Sequence, residues 1–564
     1  MPFVERRFTL LCLLLLAILA AVQILSIREE SQTWDEAIHL AAGYSYWKTG
    51  DFRLNPEHPP LGKLLNALPL LWLNLNLPLD HPSWAKPDQR EFGLQFLYYN
   101  RLPADEILFR ARLVTIVVSL ALGAAIAWWT RRRFGPPAAL TALTFFVFDP
   151  NFIAHGRYVT SDVFVSFFSF LACALAADYL ITARRRFLWL AGSCTGLAVA
   201  SKFSALFLVL VLPALWWLKG RCDRQFPGWR RLGHDAAVLA LTALLICAAV
   251  YAPELKRLVP SPDNARLTRL ADAVNPSTAY GRTVSAISRS LDLPVLTLPV
   301  AIGLVLDHDR LGHPSYLCGK VRDKGRWYYF PAAFAVKAPT ALLAALALSA
   351  LILLWKKWRN KLPTCKFEHW AMLAPALMYL WVGMGSGINI GIRHLLPALP
   401  FLFVLLGAAL TCFDWSGRKT VVALLLILLA VESVAVYPHY LAFFNWLSGG
   451  PANGRRWLVD SNLDWGQDLI RLKKYLDQNG IRSLSLCYFG TAPASYYGIP
   501  EDPVPVTAQV GDPSNLNTVI AISVTPLQGV YTAPEDFAWL RNRQPTARIG
   551  YSIHLYDFRK NSTR

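Results

Sequence analysis

The sequence predicts an α-helical polytopic membrane protein of about eleven transmembrane helices, followed by a small C-terminal α/β domain outside the membrane. Three observations carry that reading. Continuous apolar runs recur from Phe8–Ile27 onward, and a helix needs about 20 apolar residues to cross the hydrocarbon core. Short arginine and lysine clusters fall at alternate connections between the runs, the asymmetry expected of cytoplasmic loops. Beyond Tyr437 the long runs stop, and short segments with proline- and glycine-rich turns take over.

Of the 564 residues, 54% are hydrophobic and 16% charged, with a formal net charge of +19. Soluble domains average roughly 45–50% apolar, so the runs decide the class more than the composition does. A basic chain can be a nucleic-acid binder. Here the basic residues sit in clusters between apolar runs, which excludes that partner and points to the bilayer. The nine cysteines include no CxxC pair, and most lie inside apolar runs as small core residues. Only Cys318 and Cys487 fall in segments expected outside the membrane, so theirs is the one disulfide the sequence allows.

The first run, Phe8–Ile27, follows Arg6-Arg7. It is long for a signal-peptide core, and no small-x-small cleavage pattern precedes Trp34, so it reads as an uncleaved span. A polar loop follows over 28–106. Within it a short amphipathic helix is expected over Glu36–Trp47, and a second over Leu61–Leu73, started by Pro59-Pro60. Further spans are expected at 107–130, 137–154, 160–182, 187–200, 203–218, 236–252, 331–355, 370–385, 394–412 and 420–436. Arg131–Arg133, Arg184–Arg186, the Lys219–Arg231 segment, Lys356–Arg359 with Lys361, and Arg418-Lys419 then share the side of the N-terminus. That side is the cytoplasm. The loops 28–106, 149–159, 253–330 and 386–393 face the other way, with everything after Tyr437. The chain thus divides into a membrane part, 1–436, and an external part, 437–564, with a helix expected over Gly466–Gln478 and strands over Ser483–Phe489 and Val519–Val524.

Ionisable groups are costly near lipid and are kept there for function. The first loop gathers Asp35, Glu36, Glu57, His39, His58 and Lys63. Asp35-Glu36 follows the membrane exit closely, where a partly desolvated carboxylate gains proton affinity and can act as a general base. The plainer reading is an acidic pair at the start of the next helix. In Glu57-His58-Pro59-Pro60-Leu61-Gly62-Lys63 the prolines fix the direction of the first two side chains. Lys63, near a helix start, suits a phosphate, or it snorkels along the interface. The second external loop offers Asp149, His155, Arg157 and Asp162. Arg157 there suits bidentate phosphate recognition, or an Arg157–Asp162 pair joins two helices. Gly387–Gly391 leads into Arg393-His394, while Lys202 and Lys337 interrupt apolar stretches. An anionic lipid headgroup would account for Lys63, Arg157, Lys202 and Arg393 together.

The order Asp35-Glu36, Glu57–Lys63 and Gly156-Arg157-Tyr158-Val159-Thr160-Ser161-Asp162 resembles the protein O-mannosyltransferase family. It is similar also to that family's bacterial relatives, the family 39 glycosyltransferases, which include the aminoarabinose transferases. His313–Tyr316, Gly325–Pro331, Tyr437–Leu441 and Asp460–Leu469 resemble segments of uncharacterised bacterial members, so the likeness runs along nearly the whole chain. It implies the GT-C fold and a polyprenyl-phosphate sugar donor. It implies Asp35 as base with Glu36 beside it, and Glu57 and His58 shaping the acceptor and sugar site. Lys63, Arg157 and Arg393 would hold the lipid phosphate, with Asp162, Lys202 and His394 completing the substrate-binding set. The 253–330 loop is too short for the β-trefoil module of the eukaryotic enzymes, and the C-terminal part is not theirs. The acceptor is therefore left open among glycan, lipid and protein.

The expected reaction is one displacement at the anomeric carbon, and one base opposed to one leaving group gives inversion. No cofactor is required by the sequence. The acidic set Asp35, Glu36 and Glu57 could hold a divalent cation. A transporter or flippase of a lipid-linked sugar would share the spans and the cations. It would favour mid-membrane ionisable groups and internal repeats, and neither is evident. A receptor using the external part would leave the first-loop carboxylates unexplained. The Asp460–Leu469 stretch reads as folding the tail.

Overall fold

The computed structural model describes residues 2–226, 228–257, 277–291, 297–359, 366–412, 417–500 and 518–559. Lys361, stretches 258–276 and 292–296 of the long loop, and 501–517 and 560–564 of the tail lie outside the described residues. A helix forms at each expected span. Among the described residues, seven helices are long and apolar enough to cross a membrane, namely Arg7–Glu29, Ala104–Phe134, Asp162–Thr182, Phe203–Asp223, Trp229–Glu254, Thr340–Trp358 and Ile392–Thr411. Pro136–Val147, Arg185–Ser201, Phe367–Met384 and Arg418–Ala435 pack among them.

Differences from the expected boundaries have local causes. The 137–154 run ends at Val147, because the Asp149 carboxylate accepts the Asn151 and Phe152 N–H groups and starts a separate short helix at Pro150. The 331–355 run is broken at Ala338-Pro339, since proline cannot continue a hydrogen-bonded helix. Lys337 therefore ends a short helix, Tyr329–Lys337, instead of lying inside a span. The helix expected over Glu36–Trp47 forms over Glu36–Thr49 but is not amphipathic, being buried on nearly every side. Leu61–Leu73 becomes helix Leu61–Ala67 and a 3-10 turn, Leu68–Trp72, at Pro69.

Outside the membrane helices the described residues form six short strands. Strands β1 (Ser315–Leu317) and β2 (Lys320–Arg322) make a hairpin. The tail sheet runs β3 (Ser485–Cys487), β4 (Val519–Ser523), β6 (Ile553–Asp557), β5 (Ala547–Ile549), with β3 parallel to β4 and the other pairs antiparallel. Leu469, Leu472 and Leu476 of helix Leu469–Gln478 share a core with this sheet. Cys318 is exposed, Cys487 partly buried, and both are free thiols, so the allowed disulfide is not made.

One feature of the packing positions everything that follows. The tail folds back onto the first loop: the Ser31 N–H donates to the Gln467 carbonyl at 3.0 Å and the Trp34 N–H to the Trp465 carbonyl at 2.9 Å. The Asn462 side chain accepts the Ile392 N–H at 2.8 Å and donates to the Val459 carbonyl and the Tyr329 hydroxyl. The Lys337 ammonium donates to the Leu441 and Asn462 carbonyls. The Asp460–Leu469 stretch thus links the tail, the first loop and the loop before Arg393.

Candidate active site

Asp35 holds the N-cap position of helix Glu36–Thr49, yet its carboxylate accepts no capping hydrogen bond. It takes instead a bond from Arg393 Nη1 at 3.0 Å, and its side chain stays about 19% exposed. An N-cap carboxylate drawn away from the helix end forgoes roughly 0.5–2 kcal/mol of capping, so the Arg393 contact outweighs the local preference. Arg393 lies flat on the Trp465 ring, 4.3 Å from its centroid. Its Nη1 is also 3.7 Å from Asp162, and its Nε is buried without a hydrogen-bond partner among the described residues. Asp162 in turn accepts from the Lys202 ammonium at 2.6 Å.

Imidazoles surround these four charges. The His39 and His58 rings meet edge-on at 4.9 Å. Burial pulls His39 down to about 4 against the raising pull of Asp35, and holds His58 well below its ordinary value. Burial likewise lowers His155 to about 3. These rings are neutral near pH 7, and they line the site as polar groups without adding charge. His394 Nε2, next to Arg393, is buried without a hydrogen-bond partner among the described residues. The structure therefore gathers Asp35, His58, Asp162, Lys202, Arg393 and His394 around one centre.

Other expected members are committed elsewhere. Both Glu36 oxygens are saturated by Arg112, at 2.8 and 2.6 Å, and by the N–H groups of Thr33 and Val159. Glu36 is fully buried and braces the first loop against helix Ala104–Phe134. Arg157 pairs with Glu30 at 2.9 Å, not with Asp162, and is fully buried. Lys63 spends its ammonium on the Tyr46 hydroxyl and on the Asn55 and His58 carbonyls, at 2.8, 2.7 and 2.7 Å. Burial lowers it to about 7 against the pull of Glu57. It fixes the 55–58 turn and so aims His58, leaving no donor for a phosphate. Glu57 Oε1 accepts from Asn55 and Gln89 at 2.9 and 2.8 Å. Among the described residues no three histidine, cysteine or carboxylate side chains group as ligands for a metal ion. The acidic set Asp35, Glu36 and Glu57 does not converge, because Glu36 turns away into Arg112.

The sequence reading placed His39 in the first-loop cluster without giving it a role, although it follows Asp35 at i, i+4 and must share its helix face. Trp465 and the Glu30 carboxylate had no local signal, as each acts through a partner distant in sequence, Arg393 and Arg157.

Comparison with known proteins bears on this arrangement. Residues 11–252 match the family model described as dolichyl-phosphate-mannose-protein mannosyltransferase. No curated protein sequence is significantly similar to the chain. Among solved structures, the chain is similar to the S. cerevisiae protein O-mannosyltransferase Pmt1-Pmt2 complex bound to the sugar donor. That likeness has a TM-score of 0.52 at 11% identity, covering 88% of this chain and 94% of that one. ArnT from Cupriavidus metallidurans bound to undecaprenyl phosphate aligns with a TM-score of 0.47 at 13% identity, over 96% and 97% of the two chains. The Archaeoglobus fulgidus oligosaccharyltransferase in the apo form aligns at 0.44 and 12%, over 94% and 72%. The helix pattern and the likeness to Pmt1-Pmt2 define a multi-pass membrane protein of the GT-C fold. Within that class, the chain resembles the protein O-mannosyltransferases and their family 39 relatives, most directly over residues 11–252.

Proposed function

We propose that this protein is an inverting glycosyltransferase. It would move a hexosyl or pentosyl group from a polyprenyl-phosphate donor to an acceptor hydroxyl on the extracytoplasmic side of the membrane. The observation that carries this reading is the Asp35–Arg393 contact: a carboxylate at a helix start that leaves the helix uncapped and meets a guanidinium with a spare donor. The family description, which names dolichyl-phosphate-mannose, supports the donor class.

In this mechanism Arg393 and Lys202 receive the donor phosphate, Arg393 through its unpartnered Nε, with His394 beside them. Asp162 orients both cations. Without donor, Arg393 holds Asp35 in an ion pair. A phosphate that competes for the guanidinium frees the Asp35 carboxylate to meet the acceptor hydroxyl. Asp35 then takes the proton of the acceptor hydroxyl as that oxygen attacks the anomeric carbon. The bond from that carbon to the phosphate oxygen breaks, and its electron pair leaves on the polyprenyl phosphate. Preorganised cations at the departing charge are usually the largest catalytic contribution. The histidines stay neutral, so they do not compete with Asp35 for the substrate proton.

The test is to incubate the purified protein, reconstituted in lipid, with polyprenyl-phosphate sugars and membrane extract. Release of polyprenyl phosphate together with a glycosylated product of inverted configuration is expected. Movement of intact lipid-linked sugar across vesicles with no bond cleavage would instead establish a flippase.

A further inference from the structure

A circuit of side chains borders the site. Trp34, next to Asp35, stacks on Phe489 at 4.7 Å, and Phe489 stacks on Tyr531 at 5.4 Å and 5°. The Tyr531 ring meets His313 at 5.6 Å, and His313 lies over His308 at 5.6 Å. His308 is within electrostatic reach of Glu57. Glu57 accepts from Gln89 at 2.8 Å, and the neighbouring Arg90 guanidinium sits 5.0 Å over Trp34. The circuit draws on the first loop, the 297–313 segment and the tail. It passes through Trp34 and Glu57, the residues that immediately precede Asp35 and His58.

One polar pair descends from this rim to the floor. The Tyr531 hydroxyl donates to Asp460 Oδ2 at 2.7 Å, and Asp460 Oδ1 accepts the Ser461 N–H at 2.6 Å. Tyr531 is 45% exposed and Asp460 only 8%, and Asp460 feels the charge of Arg393. Both residues have positive φ, 65° and 58°. Side chains other than glycine adopt that conformation rarely, and such residues concentrate at ligand sites.

We propose that this rim is the acceptor site and that the acceptor is a carbohydrate, its ring against Trp34, Phe489 and Tyr531 and its hydroxyls on the Tyr531–Asp460 pair. The proposal rests on the transferase reading and names the substrate class that reading leaves open. Aromatic rings with polar tips suit a ligand that is apolar on its C–H faces and hydroxylated at its edges. The side chains of the circuit are aromatic, imidazole, amide, carboxylate and guanidinium, with no aliphatic surface for an acyl chain. Two carboxylates, Glu57 and Asp460, balance two guanidiniums, Arg90 and Arg393, which favours a neutral sugar over an anionic one. The hydroxyl nearest the floor gives its proton to Asp35.

The test uses the full-length protein in lipid, a polyprenyl-phosphate sugar that it turns over, and native membrane and envelope extract. Mass spectrometry of the product is expected to show the sugar joined to another sugar. A sugar joined to a serine or threonine side chain, or to a glycerol or acyl-chain hydroxyl, would overturn the inference while leaving the transferase reading intact. With the acceptor identified, Tyr531→Phe and Asp460→Asn should each raise its KM at least tenfold, while the rate of donor hydrolysis by water stays within twofold. Equal losses in both rates would mean that the pair only supports the fold, and the inference would fail. Should Asp460→Asn not fold, Tyr531→Phe and Phe489→Leu provide the same comparison. Absence of any donor turnover by the wild-type protein would remove the transferase reading and this inference with it.

Discussion

Adjacent residues in the first loop meet opposite fates. Asp35 and Glu36 are indistinguishable in sequence, since either could cap a helix or serve as a base. The structure seals Glu36 under Arg112 and leaves Asp35 partly exposed against Arg393. The difference is set by partners from helix Ala104–Phe134 and from the 3-10 segment Ile392–Ala398, which no local pattern reveals. The four expected phosphate ligands divide the same way. Arg393 and Lys202 face the centre, while Arg157 and Lys63 are tied to Glu30 and to the 55–58 turn. Arg157→Ala should therefore remove the nearest cation from buried Glu30, leaving it the Tyr158 hydroxyl at 3.0 Å and Arg471 at 3.5 Å, at a cost of up to roughly 3–5 kcal/mol, and lower the melting temperature. Arg393→Ala should weaken donor binding with a smaller change in melting. Titrating both variants with donor, alongside thermal unfolding, separates the two roles, and the reverse pattern would refute the assignment. The buried histidines give a pH signature. His39 and His155 have folded pKa values of about 4 and about 3, below the ordinary 6.5. Their contribution is complete above pH 6.5 and is lost as pH falls toward those values, by about 1.4 kcal/mol per pH unit for each group. Melting temperature should drop from pH 6.5 to 4, and His39→Gln should flatten the slope. An unchanged slope would mean that His39 is not held neutral.

Among the elements, the membrane helices were legible because an apolar run of spanning length has few other uses. What was hidden were the breaks, at Asp149-Pro150 and at Pro339, where one capping or ring constraint divides a run. The first-loop helix was expected to be amphipathic and is instead buried on most sides, because helix Leu61–Ala67, the Leu68–Trp72 turn and helix Gln89–Tyr98 pack on it. Close approach of the first two elements depends on Gly43, where a Cβ would run into the Lys63 carbonyl. Gly43→Ala should push helix Leu61–Ala67 away, cost about 1–3 kcal/mol by overpacking, and displace His58. Reduced thermal stability with reduced turnover is expected; a neutral effect on both would show that Lys63 does not set the site. The tail was read as an external fold of its own, with Asp460–Leu469 serving to build it. The backbone pairing of Ser31 and Trp34 with Gln467 and Trp465 shows that this stretch also walls the candidate site. Pairing across more than four hundred residues leaves no trace in local periodicity.

For the molecule as a whole, the alternation of basic clusters places the first loop, the 149–159 loop, the Arg393 loop and the tail on one side. The structure is consistent with that alternation, since these segments meet at one site. A reporter active only outside the cytoplasm, fused after Phe489, should be active, and its cytoplasmic counterpart silent. The opposite result would turn the whole topology over. On the proposed reading a lipid-borne donor lies between helices with its phosphate at the Arg393–Asp162–Lys202 cluster. Everything proposed for the reaction passes through one carboxylate. The most direct measurement is polyprenyl-phosphate release and product formation by Asp35→Asn, compared with wild type at saturating donor. The account predicts folded protein that still binds donor and transfers sugar at least about a hundredfold more slowly, the scale of a lost general base. Transfer at a near-normal rate would contradict it.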